Sequence, residues 1–203
     1  ELVRKIISQK RSAIILVPEI ALAWQMVRCF LQYFGEYVVV LHSQLSSGER
    51  YDTWQRLREG SAKIVIGARS AIFAPLQDLG LIVVDEEHDS SYKQEDIGSS
   101  FPVNYNARDV AVKRARDCNA LVVLGSATPS LESYFNAKSG KYSLHALQKR
   151  VDDRPLPDVH VVDMTREPFQ KKQRAIFSKF LRLKIKECLK RNEQVLLLQN
   201  RRG

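Results

Sequence analysis

The sequence predicts an α/β domain built on a parallel sheet flanked by helices on both faces. Two observations carry this reading. Five short runs are apolar at nearly every position, and helix signals fill the intervals between them. Continuous apolar runs of this length fit strands buried on both faces, which is the situation in a parallel sheet covered by helices.

The elements follow in order. Ala13–Val17 is the first run, and Ile20–Phe34 repeats apolar residues at helical spacing until Gly35 stops it. Val38–Leu41 is the second. Ser46 and Glu49 then match a capping box for a helix that extends to Gly60. Lys63–Ile66 and Leu81–Val84 are the next two runs, Ala107–Arg116 reads as a helix, and Leu121–Leu124 completes the set. After about Lys149 the pattern changes. Asp152–Pro157 is charged and punctuated by proline, as a linker would be. Asp158–Met164 alternates like a strand, a helix is expected near Ser178–Arg191, and Val195–Gln199 has the composition of a buried strand. The expected organisation is therefore a main lobe over residues 1–150, a linker region over 151–175, and the opening of a second α/β unit over 176–203. The chain begins with Glu1 and stops directly after a strand-like run, so both ends are expected to be cut.

Bulk properties narrow the class. The 203 residues are 44% apolar, enough for a sizeable core, and carry a net charge of +9, which favours a polyanionic partner. Cys29, Cys118 and Cys188 are widely separated with no Cys-x-x-Cys spacing, so no zinc site is expected within the chain. Buried free thiols in a reducing cytosol are expected instead. No apolar run reaches membrane-span length and no signal-peptide pattern occurs, so a cytoplasmic protein without membrane contact is expected.

Chemistry concentrates at two strand ends. In Leu81–His88, four apolar residues deliver Asp85 and Glu86 to the C-terminal end of a strand, the edge where open parallel sheets bind ligands. Asp85 suits Mg²⁺ beside a nucleotide's phosphates, and Glu86 suits the orientation or deprotonation of an attacking water. A solvated acidic turn accounts for the same residues equally well. In Leu121–Pro129 a second buried run leads into Gly125, Ser126, Ala127 and Thr128. Taken alone, Ser-Ala-Thr-Pro is a helix N-cap followed by a first-turn proline.

Asp85-Glu86-Glu87-His88 and Ser126-Ala127-Thr128 together resemble motifs II and III of superfamily 2 helicases. The run Asp89-Ser90-Ser91-Tyr92-Lys93-Gln94 narrows that resemblance to the PriA-type replication-restart DNA helicases. Leu16–Leu22 resembles the family's motif Ia, and Val40–Ser43 with Glu49-Arg50 resembles the block after it. Ile66–Ala71 with Phe73–Pro75 resembles motif Ib, and Asn200–Gly203 resembles the start of the second motor lobe.

The resemblance implies a RecA-like helicase lobe truncated at its N-terminus, plus the start of a second RecA-like lobe. It implies an ATP- and Mg²⁺-dependent DNA helicase moving 3′ to 5′, which restarts stalled forks and begins primosome assembly. Implied partners are single-stranded and forked DNA, primosome proteins and single-stranded DNA-binding protein. Zinc is implied outside this stretch, and the implied location is the cytoplasm, at the nucleoid. In this scheme Asp85 is the Mg²⁺-linked acid and Glu86 the water-activating one. His88, Ser126, Ala127, Thr128 and Arg108 couple nucleotide state to movement, with Arg108 meeting either a phosphate or a carboxylate near the nucleotide. Pro18, Glu19, His42, Ser43, Arg69 and Ser70 face the tracked strand. Tyr92, Lys93, Phe101 and Tyr105 belong to an aromatic loop region on which bases stack.

The chain departs from the family pattern at Glu95–Asn104, which is long, at Asn104 and Asn106, where Arg and His are usual, and at Ala23-Trp24, where Thr-Pro is common. No Gly-x-x-x-x-Gly-Lys-Ser/Thr run occurs among the 203 residues. The backbone amides and lysine of that loop hold the triphosphate, so these residues alone are expected to be inactive in ATP hydrolysis. A non-catalytic DNA- or fork-binding module explains the charge but not the persistence of both motifs. Another superfamily 2 translocase explains the motifs but not the run after His88.

Overall fold

The computed structural model describes residues 1–19, 23–94, 103–147, 157–167 and 176–199. The strands of its main sheet are β1 (Ser12–Leu16), β2 (Val38–Leu41), β3 (Ile64–Gly67), β4 (Leu79–Val84) and β7 (Leu121–Leu124). They lie in the order β2-β3-β1-β4-β7, and every pairing is parallel. Leu16 stands opposite both Gly67 and Val84, Gly67 opposite Leu41, and Val84 opposite Leu124. All five expected runs are thus strands of one sheet.

The strand period of two divides the apolar residues between two cores. Ile14, Leu16, Val65 and Ile82 join Leu57, Ile72, Ala107, Ala111 and Ala115 on one face. Ala13, Ile15, Ile64, Ile66 and Leu81 join Val3 and Val27 on the other. The first face is covered by α3 (Ser47–Glu59) and α4 (Ala107–Asp117), the second by α1 (Leu2–Ser8) and α2 (Trp24–Phe34). One unexpected element is α1, whose single buried residue, Val3, leaves little periodic signal. At the sheet's end β7 is half exposed, with Leu121 at 49%. Its run is apolar throughout, but only one neighbour, β4, pairs with it.

Local sequence explains the helix ends. Glu49 N–H donates to Ser46 Oγ at 3.3 Å and Ser46 N–H donates to Glu49 Oε2 at 2.9 Å, completing the capping box at the start of α3. Gly60 ends that helix with φ at +78°, a left-handed conformation that costs glycine little. α4 begins where expected, with Asn106 Oδ1 accepting from Arg108 N–H at 3.0 Å. Residues 20–22 of the expected Ile20–Phe34 helix lie outside the described residues.

The chain divides into Glu1–His145 and Ala146–Gly203. In the second unit α6 (Lys179–Lys190) forms as expected, opened by Ser178 Oγ accepting from Leu181 N–H at 3.0 Å. The strands expected at Asp158–Met164 and Val195–Gln199 do not form. Val161 is 94% exposed and Leu196 99% exposed, and no ladder partner lies beside either segment among the described residues. Strand pairing is non-local, so an apolar run without a partner stays unpaired. Most of the expected linker, residues 151–156 and 168–175, and the terminal 200–203 lie outside the described residues.

One further expectation is corrected. Cys29 and Cys118 are exposed and Cys188 is half-buried, because α2 turns Val27 rather than Cys29 to the core and Cys118 lies beyond the end of α4. No helix among the described residues is long and apolar enough to cross a membrane.

Gly67 is the tightest point of the sheet edge. A Cβ there would lie 2.5 Å from Ala71 Cβ and 2.8 Å from the Leu41 carbonyl oxygen. Gly67→Ala is therefore expected to lower stability by about 1–3 kcal/mol, measured as a shift in urea midpoint at constant m value.

Candidate functional site

Parallel pairing sends the C-terminal ends of all five strands to one edge. Pro18 follows β1, His42 and Ser43 follow β2, Arg69 and Ser70 follow β3, Asp85 follows β4, and Ser126 follows β7. Residues far apart in sequence thereby share one surface, the edge where ligands of open parallel sheets bind.

The acidic turn after β4 is built by a reversal of the backbone. Asp85 N–H donates to the Leu16 carbonyl at 2.9 Å, extending the ladder one residue past the strand. Glu86 then takes φ of +46°, uncommon for a residue with a side chain. Glu87 N–H donates to the Gly125 carbonyl at 3.0 Å, and Asp89 N–H closes the turn on the Glu86 carbonyl at 2.9 Å. The reversal splits three consecutive carboxylates. Asp85 and Glu86 are exposed, while Glu87 is buried.

Among the described residues no lysine or arginine pairs with Asp85 or Glu86. Among the described residues, His88 Nδ1 lies 3.6 Å from Glu86 Oε2. Two exposed carboxylates are hard oxygen donors that suit Mg²⁺, an ion that keeps waters and takes phosphate oxygens as its remaining ligands. The described residues contain no cluster of three metal-binding side chains.

His88 joins the two expected motifs. Its Nδ1 lies 2.7 Å from Ser126 Oγ, and its Nε2 lies 3.4 Å from Thr128 Oγ1. Ser126 Oγ also accepts from Thr128 N–H at 3.0 Å, which holds the Ser-Ala-Thr turn in a single shape. Ala127 is exposed between the two hydroxyls and makes none of these contacts.

Glu87 is the residue that sequence reasoning passed over. Its carboxylate accepts from Ser130 N–H at 2.7 Å, Ser130 Oγ at 3.0 Å, Ser133 Oγ at 2.8 Å and Arg108 Nη1 at 3.3 Å. Burial pushes its pKa upward, but the hydrogen bonds from Ser130, Ser133 and Arg108 outweigh burial and hold the carboxyl below the ordinary glutamate range. Of the two partners expected for Arg108, the structure supplies the carboxylate. The guanidinium is mostly buried, with bonds to Glu87, to Ser130 Oγ at 2.7 Å and to Asp109 at 3.0 Å. The available signal was Ser130-x-x-Ser133 at the start of α5 (Leu131–Lys138), two hydroxyls one helical turn apart.

Tyr92 corrects the sequence reading. Its ring is fully buried, and its hydroxyl donates to the Asp85 carbonyl at 2.6 Å, so neither ring face is open to a base. Burial, followed by the charges of Asp85, Asp89 and Glu86, raises its phenol pKa. The turn holding Tyr92 leads into β5 (Lys93–Gln94), which pairs antiparallel with β6 (Tyr105–Asn106). Arg69 Nη1 donates to the Lys93 carbonyl at 2.8 Å, and its guanidinium stands 5.9 Å from the Tyr105 ring. Phe73 meets the same ring edge-on, at 5.2 Å between centroids. Arg69 and Tyr105 therefore brace the root of the loop. Lys93, Ser70, Ser43 and Glu19 are exposed, Pro18 and His42 are half-buried, and Phe101 lies outside the described residues.

Glu87→Ala is expected to lower stability by about 1–3 kcal/mol, because Ser130, Ser133 and the largely buried Arg108 each lose a hydrogen-bond partner. A carboxyl with a lowered pKa stabilises the fold fully above the ordinary glutamate range and loses that effect as pH falls through its folded value. The urea-measured gap between wild type and Glu87→Ala should accordingly narrow as the buffer is acidified below about pH 4.

Residues 2–136 match the DEAD/DEAH box helicase family. The chain is 47% identical over 201 residues to replication restart protein PriA of Bacillus subtilis, covering 99% of this chain and 24% of that protein. It is 48% identical over 203 residues to PriA of Chlamydia muridarum, covering all of this chain and 26% of that protein. PriA of a Synechocystis species shares 47% over 197 residues, 95% of this chain and 23% of that protein. The chain thus spans about a quarter of the length of these curated relatives. Among solved structures, the C-terminal domain of the DEAD-box protein Dbp5 shares 19% identity over 66% of this chain and 72% of that chain, with a TM-score of 0.43. The similarity to PriA proteins read from separate motifs holds across the whole sequence, and the chain belongs to the DEAD/DEAH box helicase family.

Proposed function

We propose that these residues form the hydrolytic and coupling part of an ATP-dependent DNA helicase that restarts stalled replication forks, tracking 3′ to 5′. The observation that carries the reading is the bridge from His88 to Ser126 and Thr128, which ties the acidic turn to the Ser-Ala-Thr turn at one sheet edge. A module that only bound DNA would need neither the exposed carboxylates nor this bridge.

Asp85 would hold the Mg²⁺ of a bound nucleotide, and that ion supplies charge neutralisation at the transferring phosphoryl group. Glu86, exposed beside it, is placed to orient water and take its proton. His88 carries a change at this turn to Ser126 and Thr128, and through them to the segment before α5. Ser70, Ser43, Glu19 and Lys93, exposed at the same edge, are the positions offered to a DNA backbone, with His42 and Pro18 beside them. Arg69 and Tyr105 hold the shape of that surface.

Residues 1–150 are read as the first motor lobe, 151–175 as the inter-lobe region, and 176–203 as the start of a second lobe. The triphosphate cradle, zinc-binding cysteines and contacts to primosome proteins and single-stranded DNA-binding protein are assigned to the longer protein, at work in the cytoplasm. The 203 residues alone lack a phosphate-binding lysine loop and would be inactive in hydrolysis.

Two measurements on ATP turnover test this function. In the full-length protein, Glu86→Gln should lower turnover by about 10²–10⁴-fold, while the isolated 203-residue chain should show none above its Glu86→Gln counterpart. His88→Ala should leave DNA-free turnover measurable and remove most of its stimulation by single-stranded DNA. Full stimulation in that variant would refute the bridge as the coupling element.

A further inference from the structure

Arg114 is a half-buried cation with no role in the site described so far. It lies on α4, and its Nη1 and Nη2 donate to the carbonyls of Ile72 and Ala74, the latter at 2.7 Å. These carbonyls close the 3₁₀ turn Arg69–Phe73. Pro75 has no N–H, so the Ile72 carbonyl lacks the donor three residues on that a 3₁₀ turn would otherwise supply. Arg114 supplies that missing donor from another element. Six residues earlier on the same helix, about 9 Å along its axis, Arg108 grips Glu87 and Ser130. Helix α4 therefore holds the acidic turn at one end and the Arg69–Phe73 turn at the other. Along the helix, Ala107, Ala111 and Ala115 pack it against the sheet.

We infer that Arg114 is a positioning residue that makes α4 a rigid strut between the nucleotide-facing turn and the turn that presents Ser70 to DNA. This rests on the proposed helicase function. A displacement of Glu87 passes through Arg108 to α4, and through Arg114 to the carbonyls of Ile72 and Ala74. The turn is also fixed to the loop root by Arg69 on the Lys93 carbonyl and by Phe73 against Tyr105. A shift of α4 would move that surface as a unit. Arg114 touches neither ATP nor DNA in this scheme, so its removal should separate DNA stimulation from basal hydrolysis.

The test uses the full-length protein with oligothymidylate as the single-stranded probe, measuring ATP turnover without DNA and across a DNA titration. Arg114→Met keeps the aliphatic stem and removes the donors. Its DNA-free kcat and KM for ATP should match wild type, while the DNA concentration giving half-maximal stimulation should rise about fivefold or more. Arg114→Lys should fall between the two. Stimulation of Arg114→Met at the wild-type DNA concentration overturns the inference. So does a fall in basal and stimulated kcat in equal proportion, the result of a merely structural role. If Arg114→Met does not fold, Arg114→Lys decides by the same criterion, and a wild-type titration overturns the inference. Failure of the helicase reading is distinguishable, because wild type itself would then show no DNA-stimulated turnover, and the inference would fall with it.

Discussion

Parallel pairing of β1 with both β3 and β4 is the constraint on which the candidate site depends. A parallel pair cannot be closed by a tight hairpin, so each strand must be followed by a crossover that returns over a face of the sheet. Three of the crossovers carry the covering helices α2, α3 and α4, and every strand ends at the same edge. With Leu16 in register with both Gly67 and Val84, the residues after three strands are fixed relative to one another by main-chain hydrogen bonds. The chemistry is then decided by what each strand carries one or two residues past its end.

At β4 that cargo is a run of three carboxylates, and the backbone separates them by burial. A buried carboxylate is tolerated only when its oxygens are hydrogen-bonded, and Glu87 accepts from two serines, a backbone N–H and Arg108. Its neighbours Asp85 and Glu86 stay exposed, and the left-handed backbone at Glu86 makes that division within three residues. Under the proposed function this strain sits beside the groups assigned to chemistry, where such strain tends to collect.

The main lobe was legible because its signals are local. Five apolar runs, a capping box and two strand ends bearing polar residues each announce themselves within a few positions, and their order recovers both sheet and site edge. What was missed depends on distant partners. Tyr92 reads as a stacking aromatic until the Asp85 carbonyl is seen above its hydroxyl. Glu87 has no assigned role in the sequence until Ser130 and Ser133 arrive more than forty residues later. Val195–Gln199 has the composition of a strand, yet composition cannot supply the neighbour that a ladder needs. Asn106 looked like the loss of an ionisable group, and it caps α4 instead.

The two-residue ladder of β5 and β6 has a consequence for how this surface varies. Lys93 pairs with Asn106 and Gln94 with Tyr105, so the ends of the intervening stretch are pinned by the core and not by the stretch itself. The entropic cost of closing a pinned stretch grows only logarithmically, about 0.6 kcal/mol for each doubling of its length. Insertions between Gln94 and Tyr105 are thereby nearly neutral for folding. That position is a natural port, where engineering can change the length and character of the intervening stretch while the acids, hydroxyls and helices behind it keep their places.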